Sequence, residues 1–221
     1  MIERVLTFLY PAACAGCKRA EGALCAGCRP GPIATRRFVA GGVPAVALGP
    51  YEGRLRRAVL ALKSGRRDLA PEFASLLAGA AAELLVPGRV LVGVPTTRRR
   101  RSARGFDQGR TLAAELERCS GLPSLSLLSA AGKAQQGRSR GARLQARERF
   151  ACESASLAKG LEVLLVDDVV TTGATLRDCT AVLERAGARV EGALAIARAE
   201  RVDHPWEQHE SHLERNGPRR K

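Results

Sequence analysis

The stretch VLLVDDVVTTGAT, residues 163–175, sets two adjacent aspartates, Asp167 and Asp168, at the end of an apolar run and follows them with a Thr/Gly segment. Ionised carboxylates only accept hydrogen bonds, so such a pair suits a cation or two vicinal hydroxyls. The segment TTGAT (171–175) falls between a strand end and a helix start, where backbone N–H groups and the helix dipole form an anion site. The hydroxyls of Thr171, Thr172 and Thr175 add donors, and Gly173 lets the backbone come close to a ligand. Phosphate beside a diol describes a ribose 5-phosphate. The same aspartates cannot be read as a Walker B strand, because no P-loop precedes them. Only Lys133 follows a glycine, and Ala134 stands where Ser or Thr is required. A G-x-G-x-x-G dinucleotide fingerprint is missing as well.

A second constellation lies near the N-terminus, where CAGCK (14–18) and CAGCR (25–29) supply Cys14, Cys17, Cys25 and Cys28. Four thiolates in two C-x2-C pairs complete a tetrahedral zinc shell. Gly16 and Gly27 let each pair turn tightly enough to present both sulfurs to one ion. Paired redox disulfides and an iron–sulfur site use the same residues and remain open. A module this short builds no core of its own, so the metal would supply its folding energy. Cys119, Cys152 and Cys179 are isolated and read as ordinary packing residues.

The chain of 221 residues carries 36 basic and 22 acidic side chains, a formal charge of +14. That balance points to phosphate-bearing partners: nucleotides, nucleic acid or anionic lipid. Arginine outnumbers lysine 31 to 5 alongside frequent Ala, Gly and Pro, so part of the excess is compositional bias on solvated faces. Its clustering is more telling, since 18 of the 36 fall within 54–67, 98–110 and 133–149. No run reaches the ~18–20 apolar residues of a membrane span. The opening MIERVLTFLYPAAC lacks the basic start and long apolar run of a signal peptide, which predicts a cytoplasmic protein.

The elements that must hold these residues alternate between strand and helix. Residues 30–44 read as a Gly/Pro/Arg-rich linker with a short strand near 43–48. Tyr51, Leu55, Val59 and Leu62 share one helical face that ends at Ser64-Gly65. A second helix is predicted from Leu69 to Leu85, and RVLVGVP (89–95) is a strand closed by proline. A helix follows over 107–119, then a short strand over 124–128 and a long polar loop over 129–149 of the kind that forms functional lids. LEVLLV (161–166) is the strongest strand, with a helix over 174–186 and a last strand over 189–198. The tail from Ala199, with His204, His209 and His212, lacks periodicity. The alternation predicts an α/β fold with a mainly parallel sheet, ligands binding at the carboxyl ends of its strands. The expected organisation is a four-cysteine module over 1–30, a linker and first strand over 31–50, the main domain over 51–198 and a polar tail over 199–221.

Residues 163–175 resemble, at every position, the phosphoribosyl-pyrophosphate (PRPP) signature of type I phosphoribosyltransferases. The tandem C-x2-C, YEGRLRRAVLALKSG, VPTTRRRRSARGFDQ, the loop with Gln135, Gln136, Arg143 and Arg147, and the signature itself follow one another as in the ComF family. This resemblance covers roughly residues 1–198. It implies a type I phosphoribosyltransferase-like domain preceded by a zinc module, and a link to DNA uptake in natural competence. On the resemblance, Asp167 and Asp168 hold the ribose 2′- and 3′-hydroxyls, and Thr171, Thr172, Gly173, Ala174 and Thr175 cradle the 5′-phosphate. Thr96, Thr97 and Arg98 would form the pyrophosphate loop, extended by Arg104 and Gln108, with Lys63 a further pyrophosphate contact. Gln135, Gln136, Arg143 and Arg147 would belong to a mobile hood over PRPP, and Mg2+ would accompany the ligand. The sequence departs from the family pattern with Gly93 before Val94-Pro95 and with Asp107 where Asn is more usual.

Two functional classes follow. One is a phosphoribosyltransferase, with pyrophosphate leaving ribose C1. The other is a non-catalytic protein on the same fold that senses PRPP or grips single-stranded DNA alongside DNA-uptake proteins. No stretch resembles a pocket for a known base, and stacking aromatics are few.

Overall fold

The computed structural model describes residues 13–96, 105–130 and 149–199. A five-stranded sheet organises it, in the order β1 (Arg36–Ala40), β2 (Val43–Ala47), β7 (Arg189–Arg198), β6 (Glu162–Val170) and β3 (Arg89–Gly93). β1 and β2 form an antiparallel hairpin, and all other neighbours run parallel. β4 (Leu128–Ala130) and β5 (Phe150–Cys152) form a separate antiparallel pair. The expected α/β architecture with a mainly parallel sheet is what the chain adopts.

Strand periodicity divides the core into two layers. In β6, Leu164 and Val166 face one side and Val163 and Leu165 the other, all fully buried. The first side packs against α1 (Gly53–Lys63), α2 (Leu69–Ala80) and α3 (Gln108–Ser120). The second packs against α5 (Ala174–Arg185) and the β4–β5 pair, with the short α4 (Ala155–Ala158) at its margin. α1 buries Leu55, Ala58, Val59 and Leu62, the spacing of one helical face.

Four boundaries differ from the sequence reading. The short strand expected over 124–128 lies at Leu128–Ala130 as β4, because it pairs with β5, while Ser124 makes only an isolated bridge to Leu91. The stretch read as a linker contains β1, whose hairpin turns at Gly41-Gly42 with φ of +64° and +91°. Two successive positive φ values are the signature of a tight hairpin turn, and glycine supplies them without strain. α2 stops at Ala80 instead of Leu85, because Arg37 of β1 donates to the Ala80 carbonyl (3.1 Å) and to Glu83 (3.0 Å). β6 runs on through both aspartates to Val170, because β7 keeps pairing with it as far as Arg198. On its other side the β3 ladder ends at Gly93 opposite Val166. That unequal ending leaves a notch at the carboxyl edge of the sheet, beside Asp167 and Asp168.

The floor of the notch depends on backbone packed against backbone. A Cβ on Gly109 would sit 2.4 Å from the Val94 oxygen, and one on Gly93 would sit 2.5 Å from the Arg110 nitrogen. Gly93, a departure from the family pattern, therefore has a steric reason. Gly109→Ala is expected to destabilise the fold by about 1–3 kcal/mol, the usual range for overpacking. A denaturant titration reads this as a lowered midpoint at unchanged slope.

Candidate functional site

The notch opens into a cavity of about 440 Å³. β6 contributes Asp167 and Asp168, the loop after it Thr171, and the first turn of α5 Thr175. The end of β3 contributes Val94, Pro95 and Thr96, and the start of α3 Gln108 and Gly109. Tyr51 and Lys63, at the two ends of α1, close one side, and Arg149 and Phe150 another. The segments from the main sheet and its helices arrive at a strand's carboxyl end or a helix terminus, as the parallel topology requires, while Arg149 precedes β5 and Phe150 begins it.

Successive strand residues point to opposite faces, so the two aspartates meet different neighbours. Asp168 turns to the α1 side and pairs with Lys63, Nζ to Oδ2 at 3.2 Å. Asp167 accepts the Asp168 amide at 2.7 Å. Burial, then the charge of Asp168, pushes the Asp167 carboxyl up to about 7, against the pull of that amide and of Lys63. Among the described residues Lys63 is the cation that pairs with this carboxylate pair, while Arg149 lines another wall of the same cavity.

The loop 171–175 is shaped by Gly173, whose φ of +73° puts it in the left-handed region just before α5. A side chain there would also meet Gly41 N at 2.7 Å, so the β1–β2 turn backs the loop. Thr172 Oγ1 accepts from the Ala174 amide at 3.4 Å. Thr172, Gly173 and Ala174 thus form the loop itself, while Thr171 and Thr175 face the cavity.

Opposite them, Thr96 is held twice. Its amide donates to Asp107 Oδ2 at 2.9 Å and its hydroxyl to Gln108 Oε1 at 3.2 Å. Asp107 is buried and caps α3 through the Arg110 amide at 3.3 Å. The unexpected acid at position 107 therefore ties the β3 loop to α3. Thr97, Arg98, Arg104, Gln135, Gln136, Arg143 and Arg147 lie outside the described residues, as does the tail with its histidines.

The basic segment 54–67 serves a different purpose from the one its charge implied. Arg54 donates to Gly27 O (2.8 Å), Arg57 to Gly16 O (2.7 Å) and Arg66 to Ala13 O (3.0 Å). Arg67 donates to Gly105 O at 2.9 Å and lies 4.7 Å from the Phe106 ring centroid. These arginines fasten loops, and of the segment only Lys63 lines the cavity.

What Arg54, Arg57 and Arg66 fasten is the four-cysteine knuckle. Cys14, Cys17, Cys25 and Cys28 bring their sulfurs within 4.8 Å of one another. Cys17 and Cys25 are 3.6 Å apart, far beyond the ~2.05 Å of a disulfide. Sulfurs converging on one point fit a single tetrahedral ion with bonds of about 2.3 Å. The cluster is compatible with structural zinc. Burial alone would raise the Cys14 thiol, but the Cys25, Cys17 and Gly16 amides outweigh it and hold it at about 6. A Cβ on Gly16 would lie 2.8 Å from Cys28 Sγ, so this glycine is sterically required. Cys179 is buried as expected, whereas Cys119 is exposed and is not a packing residue.

Residues 75–213 match the family model of the phosphoribosyl transferase domain, more than half of the chain. The chain belongs to the phosphoribosyl transferase domain family. The matched span carries the strand-and-loop frame of the cavity, while Tyr51, Lys63 and the cysteines precede it. Among solved structures, an allosteric regulatory enzyme of purine biosynthesis is similar at 23% identity and a TM-score of 0.43, over 59% of this chain and 25% of that one. The glutamine PRPP amidotransferase of B. subtilis, complexed with ADP and GMP, is similar at 24% identity and 0.43, over 59% and 26%. A Thermus thermophilus protein is similar at 20% identity and 0.37, over 59% and 81%. The chain spans about a quarter of the length of the first two. A search of curated proteins finds no match. No described helix of this phosphoribosyl transferase domain protein is long and apolar enough to cross a membrane.

Sequence reasoning missed Tyr51, Arg149 and Phe150 as cavity residues. Tyr51 shared a helical face with Leu55, Val59 and Leu62 and so read as a packing residue, and Phe150 carried no signal beyond bordering a basic segment. Arg149 closes a polar stretch in which nothing distinguishes one arginine from the next.

The raised Asp167 value has a signed consequence for folding. A carboxyl ordinarily near 3.9 and held near 7 when folded binds more protons in the folded chain between about pH 4 and 7. Stability therefore falls as pH rises through that window. Asp167→Asn is expected to remove that decline and to raise the melting temperature at pH 8 by about 3 °C or more. Thermal melts of both proteins from pH 4 to 8 check it.

Proposed function

We propose that this chain is a ComF-like protein that binds PRPP, and that its reaction class is pentosyl transfer with departure of pyrophosphate from ribose C1. The observation that carries the reading is the convergence, in one cavity, of the Asp167–Asp168 pair, the Lys63 that pairs with Asp168, and the Thr171–Thr175 loop. Asp167 and Asp168 accept the ribose hydroxyls. The backbone of 171–175 and the hydroxyls of Thr171 and Thr175 receive the 5′-phosphate at the start of α5, while Thr172, Gly173 and Ala174 shape the loop around it. Thr96, held by Asp107 and Gln108, positions the β3 loop beside the pyrophosphate, and Thr97, Arg98 and Arg104 extend that arm.

Substitution at C1 passes through an oxocarbenium-like transition state, so the protein's task is to orient the ribose and neutralise the leaving group. Lys63 is suited to move from Asp168 to the pyrophosphate, since both line the same cavity. Magnesium bound with the pyrophosphate would supply further charge neutralisation, and the carboxylate pair is the donor set that suits a hard cation. Gln135, Gln136, Arg143 and Arg147 would cover the bound ligand. Zinc in the knuckle is structural.

The order of motifs along the chain supports the ComF assignment and, through it, a role in DNA uptake in the cytoplasm. The rival reading, a single-stranded DNA binder, loses support from Arg54, Arg57, Arg66 and Arg67, which are bound to carbonyls of the chain. Calorimetry with Mg2+ and PRPP is expected to show binding that drops at least about tenfold in Asp167→Asn/Asp168→Asn, from loss of charge-assisted hydrogen bonds. Equal affinity for the double variant refutes the ribose assignment. Pyrophosphate release with a panel of bases reads catalysis. A salt series with single-stranded DNA reads the rival, whose binding must fall steeply with salt.

A further inference from the structure

We infer that Arg149 is a ligand of the 5′-phosphate, gripping it beside the Thr175 hydroxyl; this rests on the ribose-phosphate reading of the cavity. Arg149 lines the cavity with Thr171 and Thr175. Its Nη2 lies 3.5 Å from Thr175 Oγ1, and its Nη1 lies 3.3 Å from Asp178 Oδ2. The guanidinium carbon stands 5.5 Å from the centroid of Phe150, a ring that is itself buried. The group is thus steadied by a carboxylate on α5 and by an aromatic face, with one edge directed at the phosphate loop.

The geometry follows from the hydroxyl they share. A phosphate accepting from Thr175 Oγ1 lies within about 3 Å of it. Its remaining oxygens then fall within reach of a guanidinium that already touches the same hydroxyl. Arginine's planar fork matches two phosphate oxygens at once, a geometry that lysine cannot supply. The ion pair with Asp178 does not by itself account for this placement. The partners are 56% and 41% exposed, and exposed pairs contribute little to stability. Asp178 is a positioning residue here, because it orients the fork without touching the ligand.

Lys63 and Arg149 stand at different ends of the bound molecule. Lys63 reaches Asp168 and the leaving group, whereas Arg149 reaches Thr175 and the terminal phosphate. The two cations should therefore be separable by ligand. Titrations of wild type, Arg149→Ala and Arg149→Lys with ribose 5-phosphate and, separately, with inorganic pyrophosphate and Mg2+ test this. Arg149→Ala is expected to weaken ribose 5-phosphate by about ten- to a hundredfold, the range for a lost charge-assisted contact, and to leave pyrophosphate unchanged. Arg149→Lys, with the charge kept and the fork lost, should fall between, and it also serves should the alanine variant fail to fold. Unchanged affinity for ribose 5-phosphate in both variants overturns the inference, as does an equal loss for pyrophosphate. Failure of the underlying reading has a different signature: wild-type protein that does not bind ribose 5-phosphate at all.

Discussion

Two carboxylates side by side at the end of a central strand, with one lysine between them and the helical layer, set the terms for the rest of the molecule. Like charges this close raise each other's cost of ionisation, and desolvation adds to it. The chain tolerates the arrangement because the β3 ladder ends opposite Val166, four strand positions before β6 ends at Val170, leaving the pair at an open notch instead of inside the sheet. Asp168 is offset by Lys63. Asp167, buried and beside the charge of Asp168, keeps a raised affinity for a proton.

That lysine ties the cysteine knuckle to the cavity. α1 carries Lys63 as its last residue and is preceded by Tyr51, both on the cavity wall. Along its length Arg54 and Arg57 hold the knuckle by backbone carbonyls, and just beyond it Arg66 does the same. Arg29 of the knuckle pairs in turn with Glu72 of α2 at 2.6 Å. The knuckle's buried Cys14, Ala15, Leu24, Cys25 and Cys28 share one core with α1 and α2. A metal held by the four cysteines would therefore also support the surface on which α1 rests.

Much of this was legible in the sequence because the relevant signals are local. The turn from VLLV into DD and TTGAT marks strand, acceptor pair and anion loop within thirteen residues. The C-x2-C spacing marks the convergence of sulfurs in the same way. What stayed hidden depends on partners distant along the chain. Arg54, Arg57 and Arg66 read as a phosphate-seeking cluster because nothing local discloses the carbonyls of Ala13, Gly16 and Gly27. The strand β1 was obscured by Gly, Pro and Arg on either side, although Gly41-Gly42 between alternating residues is a hairpin signal. The continuation of β6 through Asp167 depended on the length of β7, and the roles of Asp107 and Arg149 on contacts across the notch.

The account stands or falls on whether the loop after the aspartates is where a ribose phosphate lies. Amide hydrogen exchange, with and without Mg2+ and PRPP, addresses that loop directly. Slowed exchange at the amides of 171–175 on ligand addition, with the knuckle amides of 14–28 unchanged, is the predicted result. Saturating ligand that leaves 171–175 unprotected, or that protects a different surface instead, would contradict it.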